Sequence, residues 1–301
     1  HSGSVRRPAA RPLIRRAVGN AAVELGITVH LTDRSIGVAE LATAVEERGF
    51  SSLWVPEHTH IPTIRTTPVP TGEAELPEDY ARSPDPWVSL AAAASVTDRI
   101  RLGSGVALVA QHHPINLAKV VASVDALSDG RTVCGVGFGW NREEMADHGV
   151  DFSTRRDRVR EHVAAMRALW ADDVAEFHGR YVDFDPCWSW PVPVQRPGPP
   201  VLVGGGGGPR MLSEVAAWAD GWLPIGGSGL RVGLDALRMA CDELDRDPAD
   251  LSVIPFGSVP EVGKLTYYAE LGVTETVLRV PSAGRDDVLR ALDDHVRFLD
   301  G

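Results

Sequence analysis

The sequence has few cysteines, almost no lysine and no long apolar run. Its three cysteines, Cys134, Cys187 and Cys241, are far apart and form no CxxC pair. This sparse, odd set favours a reducing cytoplasm over a disulfide framework. No stretch approaches the roughly 18 consecutive apolar residues of a membrane-spanning helix. We therefore expect a cytoplasmic protein that does not insert into a membrane.

Several catalytic signatures are also missing. Lysine occurs only at Lys119 and Lys264, and neither follows a predicted strand. This disfavours a lyase or isomerase barrel that needs an inward-facing catalytic lysine. The sequence contains neither a GxxxxGK phosphate loop followed by Ser or Thr nor a GxSxG nucleophile elbow. A nucleoside triphosphatase and a serine hydrolase of the elbow type are therefore disfavoured.

The charge distribution sets the start of the chain apart from the rest. The net charge is −11, although residues 1–22 contain arginines and no acidic side chain. The remainder is therefore more acidic than the whole, which argues against nucleic acid or an anionic membrane surface as a partner. Residues 1–22 resemble a transit peptide, but we prefer a disordered tail, a vector remnant or an over-long start, because the chain begins with His-Ser-Gly rather than Met. We expect residues 23–301 to form a single domain.

From Val23 onwards, short apolar runs alternate with segments of helical periodicity. Eight runs are predicted to be strands: 23–31, 52–58, 100–109, 132–139, 201–206, 221–226, 251–259 and 274–280. Parallel strands that are covered on both faces are expected to be almost continuously apolar, as these are. An open doubly wound sheet would show a similar alternation. However, eight strand–helix units in about 280 residues favour an α/β fold of the (β/α)8 TIM-barrel type.

Two segments exceed the ordinary length of a loop. Residues 59–85 follow the second predicted strand, and residues 177–200 precede the fifth. The first insertion leaves the carboxyl end of its strand, where barrel active sites lie, so we expect it to act as a lid. The second enters its strand from the opposite face and is predicted to be a packed hairpin and strap.

Acidic and imidazole side chains stand where the predicted strands end. Glu57 and His58 close the second strand, and His112 and His113 follow the third. A carboxylate beside a histidine can bind, orient or protonate a substrate or cofactor, so Glu57 and His58 are our candidate catalytic residues. The alternative is that these side chains only begin a solvated loop. For His112 and His113 this alternative and a functional role are equally open. The histidines show no metal-ligand spacing, so we expect no metal site.

Five consecutive glycines, residues 204–208, follow the fifth predicted strand. Glycine lets backbone N–H groups approach an anion, and Pro209 fits the first position of a helix whose positive end points the same way. Arg210 adds a positive charge. We therefore expect a phosphate or another anion at this loop, with a tight strand-to-helix turn as the alternative.

A second glycine series lies in and after the fourth predicted strand. Gly135 and Gly137 either let barrel layers pack closely or leave space for a flat ring, and the two readings are equally open. The following residues 139–141 look more functional. As a GxGxG rather than GxGxxG pattern, the series alone is a weak signal.

These features together resemble the luciferase-like flavin oxidoreductases and, within that superfamily, the actinobacterial branch that uses the deazaflavin coenzyme F420. The similarity extends over most of residues 23–230 in the family's order and spacing. It is carried by AVEERGFSSLWVPEHTHIP, DRIRLGSGVALVAQHHPINLAK, LSDGRTVCGVGFGWNREEMADHGVDFSTR, PPVLVGGGGGPR and ADGWLPIG.

The resemblance implies a luciferase-like barrel with the tricyclic ring at its mouth and the phosphate near strands five and six. Glu57 and His58 match the acid–histidine pair that borders the ring, and Gly105–Val106 match a bulge where relatives place a non-prolyl cis peptide behind it. The implied cofactor-binding residues are Ser104, Gly105, Val106, Gly139, Trp140, Asn141, Glu143, Gly204, Gly205, Gly206, Gly207 and Arg210. The family's sugar-phosphate dehydrogenases often have Asp before the histidine and a lysine–arginine set that is missing here, so a sugar-phosphate substrate is doubtful.

The expected activity is hydride transfer between coenzyme F420 and an unidentified small organic substrate, in a homodimer as is common among relatives. His58 would transfer the proton, while Glu57 would orient His58 or contact the ring. Two alternatives remain open. One is an FMN-dependent monooxygenase of the same fold, and the other is a non-catalytic protein that binds flavin or deazaflavin.

Overall fold

The structure is a computed structural model that describes residues 23–69, 75–227 and 229–299. The prediction for residues 1–22 therefore lies outside the described residues. Up to the second long segment the elements are β1 (Glu24–Thr28), α1 (Val38–Glu47), β2 (Ser52–Val55), α2 (Pro86–Ala94), β3 (Arg101–Ser104), α3 (Pro114–Leu127), β4 (Thr132–Val136), α4 (Arg142–Asp147) and α5 (Arg155–Ala171). They are followed by β5 (Ala175–His178), β6 (Asp183–Cys187), β7 (Val201–Gly205), α6 (Pro209–Trp218), β8 (Gly221–Pro224), α7 (Leu230–Asp242), β9 (Ser252–Val253), β10 (Phe256–Ser258), α8 (Val262–Glu270), β11 (Glu275–Arg279) and α9 (Arg285–Val296).

Nine of these strands form one curled parallel sheet. Its order is β10-β11-β1-β2-β3-β4-β7-β8-β9, with helices between most sequential strands. The bridge between Ile225 and Phe256 and the 2.8 Å hydrogen bond from Gly226 N to Phe256 O bring the end of β8 back to β10. The predicted α/β class is thereby confirmed, and the architecture is of the TIM-barrel type.

One predicted strand is wrong in its continuity. Residues 251–259 form two short strands, β9 and β10, separated by Ile254 and Pro255. Proline has no N–H to donate to a ladder, so a regular strand does not continue through it. The chain nevertheless stays bonded to both neighbours, because Ile254 N donates to Trp222 O at 2.9 Å and Pro255 O accepts from Val277 N at 2.8 Å.

The buried side chains divide into two clusters, one on each face of the sheet. Successive strand residues point to opposite faces, and accordingly Leu53 joins one cluster and Trp54 the other. The larger cluster includes the helix residues and lies between the sheet and its helices. The smaller one fills the concave face of the sheet and comprises Trp54, Val133, Leu202, Leu223, Ile254, Phe256 and Val277. This inner core is the floor beneath the carboxyl ends of the strands.

The two long segments differ in structure. The described part of residues 59–85 contains one 3₁₀ helix, Glu78–Arg82, while residues 70–74 lie outside the described part. The second segment contains the antiparallel pair β5 and β6, which confirms the predicted hairpin. After the hairpin, Gln195 donates to Asp125 Oδ1 at 2.6 Å and to Thr132 O at 2.7 Å, which fastens the strap to the barrel. Within the described ranges no helix is long and apolar enough to cross a membrane.

Candidate active site

His58 lies at the carboxyl edge of the sheet, three residues beyond β2, and is 9% exposed. Its Nδ1 atom donates to Oε2 of Glu144 at 2.9 Å, and the Glu144 carboxylate is itself buried in α4. The rings of Tyr80 and Trp140 lie 5.2 and 5.8 Å from the imidazole, centroid to centroid. The imidazole is therefore fixed on one side by a carboxylate and enclosed by aromatic rings.

Glu57, the residue before His58, does not orient it. Its carboxylate accepts hydrogen bonds from the Leu108 amide and from Nε2 of His112, the latter at 2.6 Å. Burial lowers the pKa of His112, but the hydrogen bond and charge of Glu57 outweigh burial, so the net shift of the pKa is upward. The predicted orienting role is therefore wrong for Glu57 and belongs to Glu144. A contact of Glu57 with the cofactor ring stays a prediction.

His30 is a site residue that the sequence reasoning missed. It follows β1 by two positions, its Nε2 lies 2.7 Å from Ser83 Oγ, and its ring is 4.9 Å from that of Tyr80. Burial and then the electrostatic interaction with the nearby His58 lower the pKa of His30 to about 4, so His30 is neutral at pH 7. His30 was missed because the end of the first strand was predicted too late. The predicted strand ran to residue 31, whereas β1 ends at Thr28, which puts His30 among the residues that follow strands.

The bulge after β3 packs against glycines of neighbouring strands. The Gly105–Val106 peptide is cis, as the resemblance implied. A Cβ atom added to Gly137 would lie 2.5 Å from Cγ2 of Val106, and one added to Gly204 would lie 2.5 Å from Cγ1. Both glycines therefore make room for the two methyl groups of Val106, which lies across the top of the inner core.

A similar explanation holds for Gly135. A Cβ atom there would lie 2.1 Å from the backbone carbonyl oxygen of Ser104. The Ser104 hydroxyl in turn donates to the Gly135 carbonyl at 2.8 Å, so this candidate cofactor residue supports the bulge from below. Gly135 and Gly137 were expected either to allow close packing or to leave space for a flat ring. Close packing accounts for both glycines.

The five-glycine loop is only partly explained by packing. Gly205 has a φ of +152° and faces Met211, and a Cβ atom at Gly207 would lie 3.2 Å from the Trp222 ring. Gly206 and Gly208, in contrast, have no heavy atom within 4 Å of an added Cβ, and neither adopts a left-handed backbone. The tight-turn reading therefore fails at these two positions, whose backbone is exposed at the start of α6.

The loop after β4 contains a buried amide without partners. Gly139 has a φ of +74°, and Trp140 after it contacts His58. Asn141 is 1% exposed, and within the described part of the chain neither its Oδ1 nor its Nδ2 has a hydrogen-bond partner. A buried polar side chain in a native protein is normally hydrogen-bonded, so such a group is a place where a ligand is expected.

Glu143 accepts hydrogen bonds that the sequence did not predict. Its Oε1 accepts from the Thr66 amide and hydroxyl, both at 2.8 Å, and its Oε2 from the Thr67 hydroxyl at 2.6 Å. These bonds, that of Thr67 first, lower the pKa of Glu143 to about 2. Both oxygens are therefore engaged with the 59–85 segment. The carboxylate thus attaches Thr66 and Thr67 to the start of α4, and its predicted cofactor contact stays a prediction.

Comparison with known proteins agrees with this geometry. The family model of the luciferase-like monooxygenases matches residues 26–260. The chain belongs to the luciferase-like monooxygenase family. The resemblance stated from the sequence is thus confirmed.

Relatives of this luciferase-like protein include enzymes named for coenzyme F420. An uncharacterized protein of Mycobacterium tuberculosis is 44% identical over 268 residues, which cover 87% of this chain and 93% of the relative. The F420-dependent hydroxymycolic acid dehydrogenase of the same species is 28% identical over 195 residues, covering 64% of this chain and 49% of that protein.

Solved structures show the same fold. An F420-dependent secondary alcohol dehydrogenase, in complex with an F420–acetone adduct, superposes with a TM-score of 0.75 at 17% identity and covers 93% of this chain and 99% of its own. A monooxygenase from Streptomyces bottropensis gives a TM-score of 0.73 at 20% identity, with 92% and 98% covered. At these identities the likeness concerns the fold alone.

The luciferase-like site therefore brings together two groups of residues. The aromatic and imidazole rings of His30, His58, Tyr80 and Trp140 form one continuous set of contacts. The glycine loop adjoins the bulge, because Gly204 contacts Val106. A neutral imidazole whose Nδ1 hydrogen is held by a carboxylate presents Nε2 as a base, and its protonated form is a general acid. The arrangement can thus move a proton beside a loop suited to an anion.

Proposed function

We propose that this protein is an oxidoreductase that transfers a hydride between coenzyme F420 and a small organic substrate. The observation that carries the proposal is the pair Gly206 and Gly208, which packing does not require, at a helix N-terminus that adjoins the Gly105–Val106 bulge. Exposed backbone amides at such a terminus favour a phosphate. The F420-dependent dehydrogenase among its relatives supports deazaflavin over FMN as the cofactor. We also infer that β9 and β10 are two parts of one strand, which gives an eight-stranded (β/α)8 barrel.

The residues present fit a bound deazaflavin. The backbone amides of Gly206 and Gly208 and the side chain of Arg210 would hold the phosphate, and Val106 would support one face of the ring. The unpartnered amide of Asn141 provides a donor and an acceptor that a polar ring edge would satisfy. Ser104 acts indirectly, since its hydroxyl holds the strand beneath the bulge.

When bound, the coenzyme supplies or accepts the hydride. The Nε2 atom of His58 accepts the substrate's proton in the oxidative direction and returns it in the reductive direction. Glu144 keeps the hydrogen on Nδ1, so that Nε2 faces the substrate as the base. Tyr80 and Trp140 cover the imidazole and exclude water from it. Glu143 holds Thr66 and Thr67, in the described part of the 59–85 segment, at this edge of the barrel, where we expect the segment to act as a lid.

The decisive test is equilibrium binding of coenzyme F420 and of FMN to the purified protein, followed by fluorescence. We expect tight binding of F420 and weak binding of FMN. Tight binding of FMN alone would support the monooxygenase alternative and overturn the proposal. Binding of F420 without reduction or oxidation by a panel of alcohols and ketones would favour the non-catalytic alternative.

Two helix-capping glycines provide a matched pair of variants. Gly208 precedes α6 and Gly37 precedes α1, both with extended backbones and with no heavy atom within 4 Å of an added Cβ. Gly208→Ala and Gly37→Ala therefore cost a similar, small amount of stability. We expect only Gly208→Ala to weaken F420 binding, because its methyl group occupies the approach of the phosphate. Equal F420 affinities of the two variants would remove the glycine loop from the binding site.

A further inference from the structure

Four arginines stand in the first turns of three helices at the carboxyl edge of the sheet. Arg142 is the first residue of α4, Arg155 and Arg156 are the first two of α5, and Arg210 is the second of α6. The N-terminus of a helix carries a partial positive charge, which favours acidic side chains and disfavours basic ones. Each arginine therefore occupies an electrostatically unfavourable position.

These side chains are also close to one another. The guanidinium carbons of Arg142 and Arg155 lie 4.0 and 3.6 Å from the centroid of the Phe152 ring, so both arginines contact the same aromatic side chain. The guanidinium carbon of Arg156 lies 4.3 Å from the centroid of the Phe138 ring, which follows β4 and is buried. Burial and then the charges of the other three arginines lower the pKa of Arg155.

The Arg210 guanidinium connects this cluster to the glycine loop. Its charge lowers the pKa values of both Arg155 and Arg156, in each case after the larger effect of burial. Only two positions separate it from Gly208. The cluster of Arg142, Arg155, Arg156 and Arg210, hereafter the arginine cluster, is thus continuous with the expected phosphate loop.

Acidic compensation of the arginine cluster is weak. Glu214 is the carboxylate that raises the pKa of Arg156, but its Oε2 already accepts from the Trp218 indole at 2.8 Å. The Nε atom of Arg155 and an Nη1 atom of Arg156 are shielded from solvent without a hydrogen-bond partner among the described residues. Further along α5, in contrast, Arg160 has an ordinary partner in Asp157 at 2.9 Å.

We propose that the arginine cluster is an anion subsite for a second acidic group, a carboxylate or phosphate, of the ligand whose first anion lies at the glycine loop. The shielded, unpaired N–H groups of Arg155 and Arg156 at the positive end of α5, with Arg210 at that of α6, are a costly arrangement. A bound anion would offset this cost, because it would pair with the guanidinium groups and interact favourably with both helix ends. The ligand class is an organic polyanion. The inference rests on the proposed phosphate position at the glycine loop.

The proposed subsite would distinguish coenzyme F420 from FMN. FMN ends in a single phosphate, which the glycine loop accommodates, and therefore leaves the arginine cluster empty. A coenzyme that carries carboxylates beyond its phosphate, as F420 does, reaches both. The arginine cluster would then select the longer, more highly charged coenzyme.

The test compares Arg156→Gln with Arg156→Lys and with the control Arg238→Gln. Arg238 is an exposed arginine of α7 that pairs with Asp235 at 2.6 Å, outside the arginine cluster. We expect Arg156→Gln to weaken F420 binding by about tenfold and to reduce its salt dependence, because one charge-assisted contact is lost. Arg156→Lys should recover part of the affinity, while FMN binding and the control should be unchanged.

Thermal unfolding of the ligand-free protein distinguishes a binding role from a structural one. Arg156→Gln removes a repelling charge from a helix N-terminus, so its Tm should be equal to or higher than that of the wild type. A lower Tm together with equal loss of F420 and FMN binding would show that Arg156 is structural and would overturn the inference. Unchanged F420 affinity and salt dependence would also overturn it, while leaving the proposed function intact.

A second probe separates failure of the inference from failure of the proposed function. Inorganic tripolyphosphate carries several negative charges and no ring. It should raise the Tm of the wild type and of Arg238→Gln, and raise that of Arg156→Gln less. If the wild type binds tripolyphosphate in this way but not F420, the subsite stands and the proposed cofactor is wrong. If tripolyphosphate protects all variants equally, the arginine cluster is not the subsite.

Discussion

The carboxylate of Glu144 accepts a hydrogen bond from Nδ1 of His58 at 2.9 Å, although the two residues are 86 positions apart in the chain. Glu144 is 1% exposed and His58 9%, so the contact is shielded from water. It joins the segment after β2 to a helix after β4. Glu144, and not Glu57 beside His58 in the sequence, holds Nδ1 of the imidazole and thereby leaves Nε2 as the other ring nitrogen.

Replacement of Glu144 should therefore impair turnover more than binding. In Glu144→Ala the imidazole loses its acceptor and rotates or changes tautomer, and we expect kcat to fall by about 10²-fold with little change in KM. Glu144→Gln retains an oxygen acceptor and should recover part of the loss. Steady-state kinetics give the split, and ¹⁵N NMR of the histidine ring reports the tautomer directly. Normal kcat in a folded Glu144→Ala protein would exclude this positioning role.

The neighbouring Glu57 should act mainly on stability. Glu57→Ala leaves the Leu108 amide and the His112 imidazole without their acceptor, and breaking such a buried pair costs about 3 kcal/mol of unfolding free energy. Urea unfolding measures this loss. Glu47→Ala, at an exposed glutamate of α1, is the control. A stable Glu57→Ala protein with greatly reduced turnover would return Glu57 to the catalytic role that the sequence suggested.

The same pair has a defined pH dependence. The folded pKa of His112 is raised above its ordinary value of 6.5, so its contribution to stability is complete below pH 6.5 and is lost as the pH rises through the folded pKa. Glu57→Gln removes the charge that raises this pKa. The difference in unfolding free energy between wild type and Glu57→Gln should therefore shrink as the pH rises above 6.5. A difference that grows with pH would contradict the assignment.

His30 should give the opposite pH dependence. Its folded pKa of about 4 lies below the ordinary value of 6.5, so the unfolded chain binds the extra proton first as the pH falls. The contribution of His30 is complete above pH 6.5 and is lost between pH 6.5 and about 4. We expect His30→Asn to lose less stability than the wild type over this range, as measured by urea unfolding at several pH values. The exposed His178, whose pKa is raised, provides a control in His178→Asn that should leave the slope in this range unchanged.

The outcomes for individual residues show what sequence reasoning reaches. The ends of the apolar runs correctly placed His58 and the glycine loop at one edge of the sheet. This was possible because each strand and helix is recognisable from its own short stretch of sequence. The partner of His58 was missed because Glu144 lies in a helix of six residues within a loop, and its contact depends on how two distant segments pack. The proline at position 255 indicates a break between β9 and β10. The break was not predicted because apolar residues on both sides of Pro255 resemble one continuous strand.

Glu143 offers the clearest test of the 59–85 segment as a lid. The amides of Thr66 and Thr67 both donate to its carboxylate, whose pKa of about 2 keeps it charged across the physiological range. In Glu143→Gln these amides lose their charged acceptor, and we expect their hydrogen exchange to become faster and the KM for substrate to rise. Thr67→Val, which removes the hydroxyl that donates to Oε2, should have a similar but smaller effect.

The exposed Thr63 provides the matched control for this segment, since Thr63→Val changes the same chemical group without a described hydrogen bond. If Glu143 merely stabilises its own helix, exchange at Thr66 and Thr67 stays slow in Glu143→Gln while the overall Tm falls. If instead it fastens the segment, exchange there accelerates while the Tm hardly moves. Because the depressed pKa means that the bonds are lost only as the pH falls through about 2, the wild-type segment should remain protected at pH 5, where unattached carboxylates begin to protonate.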